Sequence, residues 1–450
     1  MEKDTKEIAK KRKLKKRRKK NVKIFPFYRM ISWDLLFYYP IIFLFLTQIK
    51  GLSASQVLFA DAFYLFANTL WQIPIARVVD KLGKKKCLIV GNILYASSIF
   101  AMIFMNGFLE LLAIQFVYAL GYSIKGMCET NILYDSLPAH PRKRGTLFSK
   151  IEAKAYSNFF YFDALASIIA GLTFAINGYI PMVLCFVACT TSAVLSFYFK
   201  ETNLPEEKHK HVSTKEYFKQ LKESVVFFKK SKRIKYLLMF NAIFAGMIFG
   251  IINLRSSLLS EMEVPKVYFG VIFAILQIGA GISSRYQDKI QKIFKNKTLT
   301  VIALPVTFSC IAIGFIGKDE LSKSSLILII ILYLIQYIVK GPYFGLMSRY
   351  LNNFTNRNIR PKISAFKNLT SNLFSATITL ICAVLVKVST TANTFIVIGC
   401  VSSICMIILL DYMKNSVGIK PEYLSKEDVK YSSNKPKLRE KTRNKSGHIN

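Results

Sequence analysis

Several ionisable side chains lie within long apolar stretches in the first half of the sequence, among them Asp34, Asp61, Lys125, Glu129 and Asp163. In a membrane, each such charge costs about 2.5–3.5 kcal/mol at the bilayer centre, so its presence is itself a sign of function. A partly buried carboxylate can take up and release a proton near neutral pH. We therefore expect Glu129 and Asp163 to line a central cavity, where one of them exchanges protons.

The spacing of Lys125 and Glu129, four residues apart, places both side chains on one face of a helix. Lys125 could then tune the proton affinity of a nearby carboxylate or bind an anionic group of a substrate. The alternative is that the two side chains neutralise each other as a structural pair. Asp34 is a further candidate for the cavity, although it and Asp61 could instead reach the membrane interface and be solvated there.

Two tyrosines close to these charges, Tyr38 and Tyr161, could stack on an amphiphilic substrate. The alternative is that they anchor helix ends at the membrane interface or pack within the protein. The eight cysteines lie in or beside apolar runs without paired spacing, and the four histidines lie in predicted loops or in the C-terminal tail. No ligand set for a metal follows from them, and no cofactor is expected.

The composition identifies the elements that must carry these residues. Of the 450 residues, 52% are hydrophobic, and Lys and Arg outnumber Asp and Glu by 63 to 26, which gives a formal charge of +37. The cations lie in short clusters between long apolar runs, a pattern typical of a multi-pass membrane protein with basic cytoplasmic loops. A secreted disulfide-rich protein, a disordered chain and a cytosolic enzyme are excluded. No stretch resembles a groove-reading module, so nucleic acid is not an expected partner.

Twelve apolar runs are long enough, at about 20 residues each, to cross the hydrocarbon core as helices. They lie near residues 29–49, 56–77, 87–105, 109–133, 151–176, 179–199, 235–257, 266–284, 299–317, 324–346, 364–388 and 391–412. The loops after every second run are rich in Lys and Arg, whereas the opposite loops are short and carry less charge. This alternation predicts a multi-pass protein of the cell membrane with both termini in the cytoplasm.

The longest internal loop divides the chain into nearly equal halves, which predicts five segments: a basic cytoplasmic tail at 1–27, a six-helix bundle at 28–200, a cytoplasmic linker at 201–234, a second six-helix bundle at 235–412 and a basic tail at 413–450. The linker includes an amphipathic stretch that predicts an interfacial helix. Secondary transporters built from repeats have this organisation, with the substrate held at the midplane between the halves. The predicted fold class is an all-α integral membrane protein of twelve transmembrane helices in two pseudo-symmetric bundles.

The loop after the second apolar run carries the residues of a gating motif: Asp80, Lys81, Gly83, Lys84 and Lys85. Gly83 allows a tight turn, and Asp80 can accept hydrogen bonds from a neighbouring helix N-terminus in one gated state. The motif resembles the loop signature G-x-x-x-D-[RK]-x-G-[RK]-[RK] of the major facilitator superfamily, with Ala76 in place of the opening glycine. Residues 121–137 also resemble the fourth helix of permeases common in Gram-positive bacteria.

The resemblance implies a secondary transporter that moves a small molecule by alternating access. Proton-coupled efflux is the leading version, because residues 166–171 resemble, without its proline, an element in the fifth helix of drug–proton antiporters. Proton-linked or facilitated uptake of a nutrient is the alternative, and a non-transporting membrane sensor or scaffold is a second one. The expected partners are a small-molecule substrate, protons and the lipid bilayer, for a chain that acts as a monomer. The sequence has no nucleotide-binding loop and no Ser–His pairing that would indicate an enzyme.

Overall fold

The computed structural model describes residues 2–138, 141–202, 214–294, 297–318, 322–355 and 360–416. Within these ranges every regular element is a helix. The elements are α1 (Glu2–Ser32), α2 (Ile42–Leu44) with a π-helical turn directly after it (Phe45–Ile49), α3 (Ala54–Leu82), α4 (Lys84–Phe104), α5 (Phe108–Ser136), α6 (Pro141–Ile176), α7 (Ile180–Phe197), α8 (Thr214–Lys230), α9 (Lys232–Glu261), α10 (Lys266–Arg285), α11 (Gln287–Phe294), α12 (Thr298–Ile316), α13 (Lys323–Phe354), α14 (Arg360–Val388) and α15 (Thr391–Ser416).

Ten helices in the described ranges are long and apolar enough to cross a membrane: α4 to α7, α9, α10 and α12 to α15. Two further spans complete the set, namely α3 and an interrupted first span that starts in α1 and ends in the π-helical turn. The result is twelve transmembrane helices in two pseudo-symmetric six-helix bundles, the first from α1 to α7 and the second from α9 to α15. The predicted fold class is confirmed.

The first apolar run, predicted as one continuous helix, is interrupted between Ser32 and Ile42. Two local causes lie within the gap. Pro40 lacks a backbone N–H and disfavours the helical conformation of the residue before it. Asp34 accepts a hydrogen bond from the backbone N–H of Leu35, an interaction that competes with helix formation. Within the gap, Phe37 has a φ of 63°. Irregular backbone at membrane depth is tolerated where it lines a cavity, so the gap is a candidate position for a binding site.

The basic N-terminal segment continues into the membrane as one helix, α1, because Lys and Arg are good helix formers. Asn21 anchors this helix to the first bundle. Its side-chain amide donates to the hydroxyl of Ser136 at 3.0 Å and to the carbonyl of Lys200 at 2.8 Å. The linker between the bundles carries α8, whose Phe227 is buried.

The two bundles meet chiefly through two helix pairs, α3 with α14 and α6 with α10. In the second pair the backbones approach closely at Gly171 and Gly270. A Cβ atom on Gly270 would lie 2.2 Å from the carbonyl oxygen of Ser167, and one on Gly171 would lie 2.9 Å from the Cα of Gly270. Small residues permit this kind of close helix packing in membranes. The first pair is linked by the hydroxyl of Ser55, which donates to the carbonyl of Ala383 at 2.7 Å.

Alanine in place of Gly270 should therefore force α6 and α10 apart. We expect a destabilisation of about 1–3 kcal/mol, the usual cost of inserting one extra carbon into a packed contact. Thermal unfolding of the purified protein in detergent measures it. Gly126→Ala is the matched control, since a Cβ at Gly126 meets nothing within 4 Å. Equal unfolding temperatures for the two variants would contradict the proposed close contact.

Candidate functional site

A cavity of about 240 Å³ lies between the two bundles. More than half of the residues that line it are aromatic, and four are charged. The first bundle supplies three carboxylates, Asp34, Asp61 and Asp163, whereas the second bundle supplies one cation, Lys340. Apolar and aromatic walls with a few polar groups that set orientation are the usual character of a small-molecule site.

The gap in the first span places Asp34 in the cavity wall. Its carboxylate accepts hydrogen bonds from the hydroxyl of Tyr39 at 2.7 Å and from the backbone N–H of Leu35 at 2.9 Å. Trp33, Tyr38 and Tyr39 from the same gap also line the cavity. Asp61, on α3, lines it from a second helix. Both aspartates thus contribute to the cavity wall.

Asp163, on α6, lines the cavity where the two bundles touch. Its side chain is only 2% exposed, and its carboxylate accepts a hydrogen bond from the amide of Gln277 on α10 at 2.7 Å. The amide oxygen of Gln277 is buried and has no hydrogen-bond partner among the described residues. A direct bond between a carboxylate on one bundle and an amide on the other allows the charge on Asp163 to influence how the bundles meet.

The second bundle places two cations at or behind the cavity wall. The ammonium group of Lys340 lies 4.9 Å from the ring centre of Tyr337, which also lines the cavity. Arg255, on α9, is fully buried behind the wall and donates to the Tyr337 hydroxyl at 2.5 Å. Arg255 did not enter the sequence-based set of candidates. Arg255 lies inside an apolar run, as Asp163 does, so the same pattern in the sequence could have identified Arg255 as a candidate.

Glu129 lies outside the cavity lining, in a buried polar cluster within the first bundle. Its carboxylate forms an ion pair with Arg29 and accepts hydrogen bonds from Tyr28 at 2.6 Å and Ser32 at 3.2 Å. Asn92 in turn donates to the hydroxyl of Tyr28 at 2.8 Å. This cluster joins α1 to α4 and α5. Sequence reasoning missed Arg29, because it is 100 residues away from Glu129 and no local pattern connects the two.

Lys125 is 1% exposed and also lies outside the cavity lining. Its ammonium group lies 4.1 Å from the ring centre of Tyr95, a cation–π contact, and has no hydrogen-bond partner among the described residues. In this part of the chain the ion-pair partner of Glu129 is Arg29, so Lys125 and Glu129 do not form the direct pair that was considered from their spacing.

Of the two candidate tyrosines, Tyr38 lines the cavity and is 8% exposed. Tyr161 is 42% exposed and does not line the cavity. It is two residues from Asp163, and residues two apart on a helix do not share a face. Because Asp163 points into the cavity, Tyr161 points outward, where it lies 5.9 Å from the guanidinium carbon of Arg285. The expectation that it lines the site is corrected by this geometry.

The motif loop forms the sharp turn between α3 and α4. Gly83 has a φ of 85°, a conformation that glycine adopts readily. Lys84 forms an ion pair with Asp135 of α5 at 2.5 Å, and the backbone N–H of Lys85 donates to Glu201 at 3.2 Å. Lys81 is exposed. The side chain of Asp80 lies outside the described part of the structure.

Two helical bundles around a shared cavity, with its carboxylates on one bundle, define the class of molecule: a multi-pass membrane transporter for a small molecule. The chain belongs to the Major Facilitator Superfamily, whose family model matches residues 27–322. No curated protein gives a significant sequence match.

Solved structures with the same fold include three transporters. A crystal structure of the nucleoside transporter NupG is 13% identical, with a TM-score of 0.67, and the alignment covers 89% of this chain and 98% of that one. A D-xylose–proton symporter is 13% identical, with a TM-score of 0.66, over 91% and 99% of the two chains. A POT family transporter in complex with 5-aminolevulinic acid is 15% identical, with a TM-score of 0.61, over 89% and 96%. At these identities the likeness establishes the fold.

Proposed function

We propose that the protein is a proton-coupled transporter that exports a small amphiphilic molecule. The observation that carries the proposal is the central cavity, in which Asp34, Asp61 and Asp163 stand among aromatic side chains. Charges at this depth are costly and are typical of proton relays in transporters. Aromatic walls suit a substrate with an apolar body.

Asp163 is the proposed coupling residue. As a carboxylate it accepts the hydrogen bond from Gln277 across α6 and α10, the helix pair that joins the bundles. Protonation removes the negative charge that strengthens this bond, and so weakens the contact between bundles. Loading a proton on Asp163 would thus favour rocking of one bundle against the other, which is the movement that alternating access requires.

The proposed direction is export, which rests on the resemblance of residues 166–171 to the drug–proton antiporter element and on the aromatic cavity. In this proposal the bundles at 28–200 and 235–412 move as units in the cell membrane, both termini are cytoplasmic, and the chain acts as a monomer. Proton-linked or facilitated uptake uses the same cavity and remains the alternative, and a non-transporting sensor or scaffold is the second one.

The test is proton flux in everted membrane vesicles that contain the protein, followed with a pH-gradient dye. Addition of an amphiphilic substrate should collapse the gradient, because export by antiport consumes protons stored in the vesicle. Vesicles without the protein are the control. If a broad panel of amphiphiles leaves the gradient intact while counterflow in proteoliposomes is positive, proton-coupled export is contradicted, and uptake or uniport is favoured. Absence of both activities would favour the sensor or scaffold.

A further inference from the structure

The charges around the cavity are divided between the two bundles. All three carboxylates in its lining, Asp34, Asp61 and Asp163, come from the first bundle, and its cation, Lys340, comes from the second. The sequence supports this division on the side of the second bundle. Of the acidic residues between 235 and 412, Glu261, Glu263, Asp288 and Asp411 lie at helix ends or between spans, and the other two, Asp319 and Glu320, fall in the sequence between the apolar runs at 299–317 and 324–346. The cavity therefore has one negative wall and one positive wall.

Lys340 forms no salt bridge with any of the described residues and contacts the ring of Tyr337. It lies close enough to Asp34 and Asp163 to interact with both electrostatically across the cavity. Arg29 and Glu129, by comparison, form a direct ion pair within the first bundle. A lysine held at a cavity wall without such a partner is in a position to bind an anionic group.

Arg255 adds to the positive wall from behind. It is fully buried, and its guanidinium carbon lies 3.7 Å from the ring centre of Phe273, a residue that lines the cavity. One guanidinium nitrogen donates to Tyr337, whereas Nε and the second terminal nitrogen have no partner among the described residues. An uncompensated buried charge is destabilising, so its retention needs a reason. Arg255 adds positive potential beside Tyr337 and Lys340, and this contribution is a reason for keeping a buried charge there.

We propose that the transported molecule is a small zwitterion with an apolar or aromatic body. Its anionic group, a carboxylate or an equivalent, binds Lys340, and its ammonium group binds Asp34 and Asp61 on the opposite wall. Arg255 is a positioning residue that holds Tyr337 and strengthens the field at Lys340. Asp163, which accepts the hydrogen bond from Gln277, is then the residue that takes up the proton. The inference rests on the proposed transport function and specifies its substrate class.

The intrinsic tryptophan fluorescence of the protein can report binding in the cavity. It has two tryptophans, and Trp33 lines the cavity whereas Trp71 does not. In a Trp71→Phe background, quenching of Trp33 fluorescence in the purified protein reports binding. Three matched probes separate the charges: phenylalanine has both, phenethylamine has only the ammonium group and 3-phenylpropionate has only the carboxylate. Phenylalanine should bind about tenfold more tightly than either analogue, as one additional charge-assisted hydrogen bond predicts.

Lys340→Met should weaken the binding of phenylalanine about tenfold, to the level of phenethylamine, and leave phenethylamine binding unchanged or tighter. Arg255→Met should lower the preference for phenylalanine over phenethylamine, and Arg255→Lys should restore it. A purely structural role of Arg255 would shift both affinities together and leave this ratio unmoved. Unfolding temperatures of all variants serve as the control for folding.

Three results would overturn the inference: absence of saturable quenching by phenylalanine, phenethylamine binding as tightly as phenylalanine, or Lys340→Met weakening both probes equally. The vesicle assay distinguishes this failure from failure of the proposed function. Gradient collapse by purely cationic amphiphiles together with no binding of phenylalanine would retain proton-coupled export and reject the zwitterion. Lys340-dependent binding of phenylalanine without any proton flux would retain the substrate class and reject the coupling.

Discussion

Asparagine in place of Asp163 should abolish proton-coupled transport and leave the fold intact. The amide has nearly the same shape as the carboxylate, and its oxygen can still accept the hydrogen bond from Gln277 at the contact between α6 and α10. It cannot take up a proton at physiological pH. Without a titratable group at this position, we expect gradient collapse in everted vesicles to fall to the level of vesicles that lack the protein.

Two comparisons make this result interpretable. Glu110→Gln is the matched control, because Glu110 lies at the start of α5 outside the cavity and accepts a hydrogen bond from the backbone of Asn106. This variant should transport as the unmodified protein does. Asp34→Asn and Asp61→Asn should weaken substrate binding while protons still couple to whatever transport remains. Full activity of Asp163→Asn would contradict the coupling role, whereas loss of coupling in Asp61→Asn or Asp34→Asn alone would assign that role to the affected residue.

The second large effect is expected at the ion pair between Arg29 and Glu129. Glu129 is 1% exposed, and Glu129→Gln leaves the guanidinium of Arg29 without its counter-charge in a mostly buried site. Removing one partner of a buried pair is destabilising by about 3–5 kcal/mol. We therefore expect a clear drop in the unfolding temperature in detergent. Transport per folded molecule should change little, since Glu129 does not line the cavity.

The double variant Arg29→Met with Glu129→Leu provides the complementary measurement. Replacing both members of a buried pair by apolar residues of similar size is often neutral or stabilising, so most of the lost stability should return. The guanidinium carbon of Arg29 also lies 3.9 Å from the ring centre of Trp33, so the cluster supports a residue of the cavity wall. Loss of proton coupling in Glu129→Gln at unchanged stability would instead favour the coupling role considered for Glu129 from its sequence position.

The membrane class, the number of spans and the family resemblance could be predicted from the sequence, because each rests on a local pattern. A run of about 20 apolar residues is long enough to cross the bilayer wherever it occurs. The motif residues Gly83, Lys84 and Lys85 are close in sequence, and the turn they form is local as well. Asp163 could be identified in the same way, because a carboxylate within an apolar run is recognised from the local sequence, without knowledge of its partner.

Helix rotation and contacts between distant segments could not be derived from the sequence in this way. Hydropathy identifies a span but not which of its faces meets lipid, so the outward position of Tyr161 followed only once Asp163 was placed in the cavity. The partner of Glu129 is Arg29, 100 residues earlier, rather than Lys125, four residues earlier. Likewise, the opposition of Asp34 and Lys340 arises because two bundles pack face to face, and local spacing carries no information about how they pack. The sequence by itself determined which segments enter the membrane and which charges they carry; the tertiary structure decided which of those charges share a cavity.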